Sequence, residues 1–164
     1  MNADPRVMAF FPRTYTLEEC AEGLARIRAH FLAHGFGLWA VSLTADGAFV
    51  GMIGLAVPGF EAPFMPCVEV GWRLAVAHWG RGYATEGARA ALDYGFERVG
   101  LREIVSFTTV ENQRSRRVME RLGMQRNAEE DFMHPSLPEG HPLRPHVLYR
   151  LSAAAHRGRL ETGA

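Results

Sequence analysis

The stretch His78-Trp79-Gly80-Arg81-Gly82-Tyr83-Ala84-Thr85-Glu86 decides the reading of this chain. A strand-like run precedes it, Val68-Glu69-Val70-Gly71-Trp72-Arg73-Leu74, and a helix-like run from Glu86 to Val99 follows. Two glycines one residue apart at a strand-to-helix junction let the backbone come close to a ligand and turn its N–H groups outward. Those groups, with the helix dipole behind them, form an anion site that needs no lysine and no metal. The segment reads as the grip on a phosphate-bearing cofactor.

Working outward, Thr16-Leu17-Glu18-Glu19 has the form of a capping box, with Leu17, Cys20, Leu24, Ile27 and Phe31 following at helical spacing up to Gly35 or Gly37. Two strand candidates, Gly37 to Thr44 and Phe49 to Val57, are joined through Ala45-Asp46-Gly47, a hairpin signal. Behind the glycine loop, Ala88, Ala91, Leu92, Phe96 and Val99 share one helix side. Ile104 to Val110 is a further strand. Asn112 caps a second helix whose Ser115, Val118, Met119 and Leu122 face inward and which ends at Gly123. A strand around Arg126 to Met133, a proline-rich structured loop from Pro135 to Pro145 and a last strand from His146 to Leu151 complete the order. That order predicts one α/β domain over residues 1–164, with a mixed, mostly antiparallel sheet flanked by helices.

The bulk numbers agree with one domain. A chain of 164 residues can bury a sizeable core, and 48% hydrophobic with 22% charged residues is ordinary for a globular protein. Eighteen basic residues balance eighteen acidic ones, which argues against nucleic acid or an anionic membrane surface as partner. Arg114, Arg116, Arg117 and Arg121 could still form a local basic patch. Cys20 and Cys67 make no disulfide framework and lack metal-site spacing, no apolar run approaches the length of a membrane span and the start does not read as a signal peptide, so a cytoplasmic protein is expected.

The loop fits neither common nucleotide fingerprint. A Walker A loop needs Lys then Ser or Thr after its last glycine, where this chain has Tyr83-Ala84. A Rossmann loop needs a third small residue at fixed spacing and an acid closing the second strand; Gly87 comes too late and Val110-Glu111-Asn112 is a poor match.

Trp79-Gly80-Arg81-Gly82-Tyr83-Ala84 instead resembles the Arg/Gln-x-x-Gly-x-Gly/Ala cofactor loop of the GNAT superfamily of acetyl-CoA-dependent N-acetyltransferases, except that Trp79 stands at the first position. That exception, with Thr85-Glu86 following, is similar to the branch of ribosomal-protein N-terminal acetyltransferases and their small-molecule relatives. Asn112-Gln113-Arg114-Ser115 through Leu122-Gly123-Met124 resembles the same branch's Asn-x-x-Ser helix. Members of the family usually carry a strand and helix ahead of the position of Asn2-Ala3-Asp4-Pro5, so a first strand is expected to be missing and a sheet edge left open.

The resemblance implies a GNAT fold and acetyl-CoA as cosubstrate, with no metal. The backbone N–H groups of Arg81, Gly82, Tyr83, Ala84 and Thr85 would take the pyrophosphate, and Arg81 could add a charged contact. Asn112 would contact the pantetheine arm as well as cap its helix. The acyl donor would lie where Val68–Ala75 and Ile104–Val110 splay, with backbone near Trp72, Arg73 and Leu74 polarising the thioester carbonyl. Ser115 would protonate the departing thiolate, because the tyrosine other branches place one turn later is Met119 here. Glu69, on one face with Gly71 and Arg73, could take the proton of the attacking amine. The plain alternatives are a small packing residue for Ser115 and a surface or ion-paired carboxylate for Glu69. Glu61, His134, His141 and His146 are weaker candidates for that base; the three histidines suit no standard metal spacing, and Cys67 has no task in direct transfer. The acceptor would be a primary amine, on a protein N-terminus or a small molecule, and a homodimer is compatible with the reading. The rival is a non-catalytic acyl-CoA-binding module that kept the loop and lost the chemistry.

Overall fold

The computed structural model describes residues 1–162, with side chains through Arg159. The last two residues of the expected 1–164 domain lie outside the described ones. Residues 1–13 form turns, with Val7 and Met8 buried, and no strand precedes the first helix among the described residues.

Helix α1 (Leu17–His34) starts at the capping box: Thr16 Oγ1 accepts from the Glu19 N–H, and the Glu19 carboxylate accepts from the Thr16 N–H at 2.8 Å. Gly35, at φ 76°, ends it. The helix is a poorly buried one. The apolar residues at helical spacing are only partly covered: Leu17 is 88% and Leu24 47% exposed, while Cys20, Ile27 and Phe31 are half-buried. Packing is made at the C-terminal end, where Phe31 meets the Trp39 ring edge-on.

Strands β1 (Leu38–Ser42) and β2 (Phe49–Ala56) form the expected hairpin, with Asp46 Oδ1 accepting from the Ala48 N–H in the turn. β2 pairs antiparallel with β3 (Glu69–Leu74), which meets β4 (Glu103–Thr109) in parallel at the single register pair Glu69–Val105. β4 pairs antiparallel with β7 (Pro145–Ser152) along its whole length. The sheet order is β1-β2-β3-β4-β7-β5, with β6 also on β7, so β1 is an edge strand. The mixed, mostly antiparallel α/β architecture is as expected.

Three boundaries differ. Helix α2 (Tyr83–Glu97) begins three residues before Glu86, because Gly82 at φ 86° already takes the cap position. The strand expected over Arg126–Met133 is two short pieces, β5 (Gln125–Arg126) and β6 (Phe132–Met133); Asn127 caps a 3-10 turn over Ala128–Glu130 between them. An unforeseen helix, α4 (Ala153–Thr162), follows β7 directly.

The main core lies between the sheet and helices α2 and α3 (Gln113–Arg121). Ile53, Leu55, Val70, Ile104, Val147 and Leu151 from the sheet meet Ala88, Ala91, Leu92 and Met119 from the helices. At roughly 1.5–3 kcal/mol per fully buried aliphatic side chain, this layer is the dominant stabilising term. By alternation, Glu69, Gly71, Arg73, Val105, Phe107 and His146 fall on the opposite face. That second face carries the site.

Candidate active site

The glycine loop is built by backbone geometry. Gly80 (φ 73°) and Gly82 (φ 86°) both sit in the left-handed region, and each has open space where a Cβ would project. The Glu86 N–H is the first of α2 to close a helical bond, onto the Gly82 carbonyl at 3.0 Å. The backbone N–H groups of Arg81, Gly82, Tyr83, Ala84 and Thr85 therefore have no acceptor among the described residues. A consecutive row of free donors at a helix start is suited to an oxyanion. The Arg81 side chain is exposed and makes no ion pair among the described residues. Trp79 packs beneath the loop: its Nε1–H donates to the Leu74 carbonyl at 2.9 Å and its ring lies 4.5 Å below the Arg114 guanidinium.

Strands β3 and β4 part immediately after their one register pair. The Val105 N–H donates to the Val68 carbonyl, but the next β3 carbonyl on that side, Val70, is taken by the Ser106 hydroxyl at 2.9 Å instead of by a backbone donor. Alternation turns the Trp72 N–H toward the same widening gap. The gap opens into a cleft of about 1580 Å³ that runs from the glycine loop, past Asn112 and Ser115, to Glu69, Phe107 and His146.

The structure thus brings Glu69, Trp72, Gly82, Thr85, Asn112 and Ser115 to one cleft, while Arg81 is exposed beside it and does not line it. Asn112 Oδ1 accepts from the Ser115 N–H at 3.2 Å, and its Nδ2 donates to Thr108 Oγ1 at 2.9 Å, so the cap is itself anchored to β4. The Ser115 hydroxyl has no partner among the described residues and is half-buried at the cleft wall. Trp72, Arg73 and Leu74 line the cleft as well; the Leu74 carbonyl is occupied by Trp79.

Glu69 is the unusual group. Its carboxylate lines the cleft with no hydrogen bond or ion pair among the described residues, and Gly71 leaves the neighbouring position bare. Removal from water pushes its pKa up to about 8. The alternative of an ion-paired glutamate is therefore not what the fold contains. A carboxylate poised near neutrality can both take and release a proton.

One feature of the site was not assembled from the sequence. Phe60, Phe64, Phe107 and Phe132 pack ring to ring beside Glu69's face, with His134 and His146 joining them, their rings 4.8 Å apart. Burial lowers both histidine pKa values, that of His146 to about 4, so this wall is aromatic and uncharged at neutral pH. The Phe132–His146 register pair across β6 and β7 could not be read from the loop between them. His141 lies apart, accepting from the Leu143 N–H in the proline loop, and Glu61 is exposed outside the cleft. Cys67 is raised to about 11 by burial, which disfavours the thiolate.

Known proteins share this fold. The Acetyltransferase (GNAT) domain family matches residues 1–125, and the chain belongs to that family. The protein YkkB of Bacillus subtilis is 31% identical over 74% of this chain and 69% of its own length. The FsC-acetyl coenzyme A-N(2)-transacetylase of Aspergillus fumigatus is 37% identical over 76% of this chain, a match that spans 55% of that relative. Among solved structures, an acetyltransferase from Agrobacterium tumefaciens superposes with a TM-score of 0.69 at 30% identity, covering 91% of this chain and 79% of that one. The spermidine N-acetyltransferase of Vibrio cholerae, solved with CoA and spermine, gives 0.72 over 95% and 88% at 18% identity. The ribosomal-protein-S5-alanine acetyltransferase of Vibrio fischeri gives 0.71 over 92% and 82% at 14% identity. These last two likenesses are of fold alone.

Proposed function

We propose that the protein transfers an acetyl group from acetyl-CoA to a primary amine, directly, with both substrates bound together. The observation that carries this reading is a row of free backbone N–H groups at the start of α2, those of Gly82, Tyr83, Ala84 and Thr85 lining the same cleft as an unpaired, desolvated carboxylate. The first set fits the pyrophosphate of coenzyme A without a Cβ in the way; the second fits the demands of an amine nucleophile.

In this reading Arg81 to Thr85 hold the pyrophosphate through their N–H groups, and Asn112 is close to the pantetheine arm. Acetyl-CoA supplies the activated acyl carbon as a thioester. Glu69 accepts the proton that the amine gives up as its nitrogen forms the new C–N bond. The Trp72 N–H, turned into the gap, stabilises negative charge on the carbonyl oxygen. As the C–S bond breaks, Ser115 gives its hydroxyl proton to the thiolate and recovers one from water. No step calls on a metal. The name of the Aspergillus relative supports an acetyl-CoA-dependent N-transfer. A ribosomal-protein N-terminus as acceptor rests on motif resemblance only, and a cytoplasmic location on the residue pattern.

Calorimetry with acetyl-CoA on the wild type and on Gly82→Trp tests the donor site, and thiol release over an amine panel tests the chemistry. Wild-type binding that is lost in the variant is the expected result, because the bulk and the positive φ both oppose the substitution. Unchanged affinity would sink the loop assignment. Firm CoA binding with no thiol release on any amine would instead leave the non-catalytic reading standing.

A further inference from the structure

Arg73 stands on the same face of β3 as Glu69, two positions beyond the bare Gly71, at the other end of the exposed floor. Four residues of strand separate their α-carbons by about 13 Å. Its guanidinium is oddly served. One terminal nitrogen donates to Asn2 Oδ1 at 3.3 Å; the Phe11 ring covers the group at 4.0 Å and Tyr15 lies 5.8 Å away. Nε is buried and has no partner, and no carboxylate pairs with the side chain among the described residues. Five donors in a fixed fork, served by a single neutral acceptor, leave most of the group's hydrogen-bonding capacity unused in a desolvated position.

Of the other arginines lining the cleft, Arg6 pairs with Asp4, Arg26 with Glu22 and Arg114 stacks on Trp79, while Arg117 and Arg121 make no ion pair among the described residues and stand on α3 rather than on the sheet. Among these six, Arg73 is the one that stands on the sheet, and it has no anion among the described residues. We propose that Arg73 recognises a carboxylate on the acceptor, so that the acceptor class is an α-amino acid or similar carboxylate-bearing amine with an apolar side chain. This rests on the reading of the cleft as an acetyl-transfer site.

Two further observations agree. A planar carboxylate matches the guanidinium fork with two parallel bonds, which neither a ring nor an amide oxygen can replace. The wall beside Glu69 is made of Phe107 backed by Phe60, Phe64 and Phe132, and it offers an apolar body somewhere to pack. A polycationic amine meets Arg73 as a buried repulsive charge on the β3 floor, where Glu69 is the carboxylate; of the other carboxylates lining the cleft, Glu19 is already paired with Arg13 and Glu111 is exposed on the rim.

Matched pairs that differ only by the carboxylate provide the test. L-phenylalanine and phenethylamine are compared as acceptors by thiol release. N-acetyl-L-phenylalanine and N-acetylphenethylamine are compared as ligands of the CoA-saturated protein by calorimetry. The wild type is expected to favour the carboxylate member at least tenfold in both assays. Arg73→Met should bring the ratio below threefold, and Arg73→Lys should retain part of it, which separates loss of charge from disturbance of the Phe11 packing. An unchanged ratio in Arg73→Met, a wild type that prefers the decarboxylated member, or a wild type that binds neither N-acetyl compound at millimolar concentration overturns the proposal. If carboxylate-dependent binding is seen while no amine is ever acetylated, the anion site stands and the transfer reading falls.

Discussion

The indole of Trp79 and the carbonyl of Leu74 are joined by a 2.9 Å hydrogen bond that ties the last residue of β3 to the first residue of the glycine loop. The same ring supports Arg114 at the start of α3. One side chain therefore sets the spacing between the cleft floor, the donor loop and the helix that carries Ser115. Trp79→Phe keeps the aromatic surface and removes the N–H. Loss of one such bond costs about 1 kcal/mol, so acetyl-CoA affinity is expected to fall roughly fivefold. Calorimetry checks this, and an unaltered Kd would show that the loop holds its shape without the tie.

Glu69→Gln replaces the proposed base with a group of nearly the same shape. Positioned proton transfer contributes on the order of 10² to 10⁴ in rate, and turnover should fall within that range while CoA affinity stays within about twofold. In the wild type, activity should rise with pH through about 8, since only the deprotonated carboxylate can take the amine's proton. The variant should lack that rise. A pH profile of kcat/KM that Glu69→Gln leaves in place would assign the base elsewhere.

The same carboxyl should leave a mark on stability. Its folded pKa lies above the ordinary carboxylate value of 4.5, so the folded state holds the proton more tightly than the unfolded chain does. The contribution is fully present below about pH 4.5 and is lost as pH rises through about 8. Glu69→Gln cannot ionise, so its Tm relative to wild type should climb across that window. Melts at pH 5 and pH 9 showing the same difference would argue that the carboxyl is not desolvated.

These predictions rest on parts of the molecule that were unequally legible in the sequence. The glycine loop was readable because its requirement is local: positive φ at Gly80 and Gly82 is satisfied by residue type alone. The Asn112 cap and the Asp46-Gly47 hairpin were readable for the same reason. The aromatic wall was not, because Phe107 and Phe132 come together only through the pairing of β4, β7 and β6, and Phe60 reaches them from the loop between β2 and β3. Helix α1 was readable from its capping box and apolar spacing, but how little of it is covered was not: the fold leaves Leu17 and Leu24 against solvent. The environment of Glu69 was also out of reach, since alternation fixes a face and says nothing of what covers it.

Ser115→Ala tests the leaving-group end. The Ser115 hydroxyl makes no internal bond among the described residues, while its backbone N–H is held by the Asn112 cap. Removing the hydroxyl should therefore spare the helix and the cofactor affinity. Turnover should drop by about tenfold or more if a positioned proton donor is lost. Single-turnover thiol release is the measurement, and an unaffected rate would pass the role to water.

His156 anchors the helix that the sequence did not reveal. Its Nε2 meets Asp93 Oδ1 of α2 at 2.7 Å, its ring packs 4.8 Å from Phe96, and the residue is 5% exposed. His156→Ala removes both the contact and the ring, leaving Asp93 without its partner. Such a loss costs about 1–3 kcal/mol, and the urea midpoint should fall by a corresponding amount. Asp93 lies ten residues along α2 from Tyr83, about 15 Å at the helical rise, so the donor loop should not feel the change. Acetyl-CoA affinity is therefore expected to stay within twofold of wild type at temperatures where the variant is folded. A variant that keeps its stability would show that α4 is held by β7 alone; one that loses CoA binding would show that α2 transmits the loss along its length.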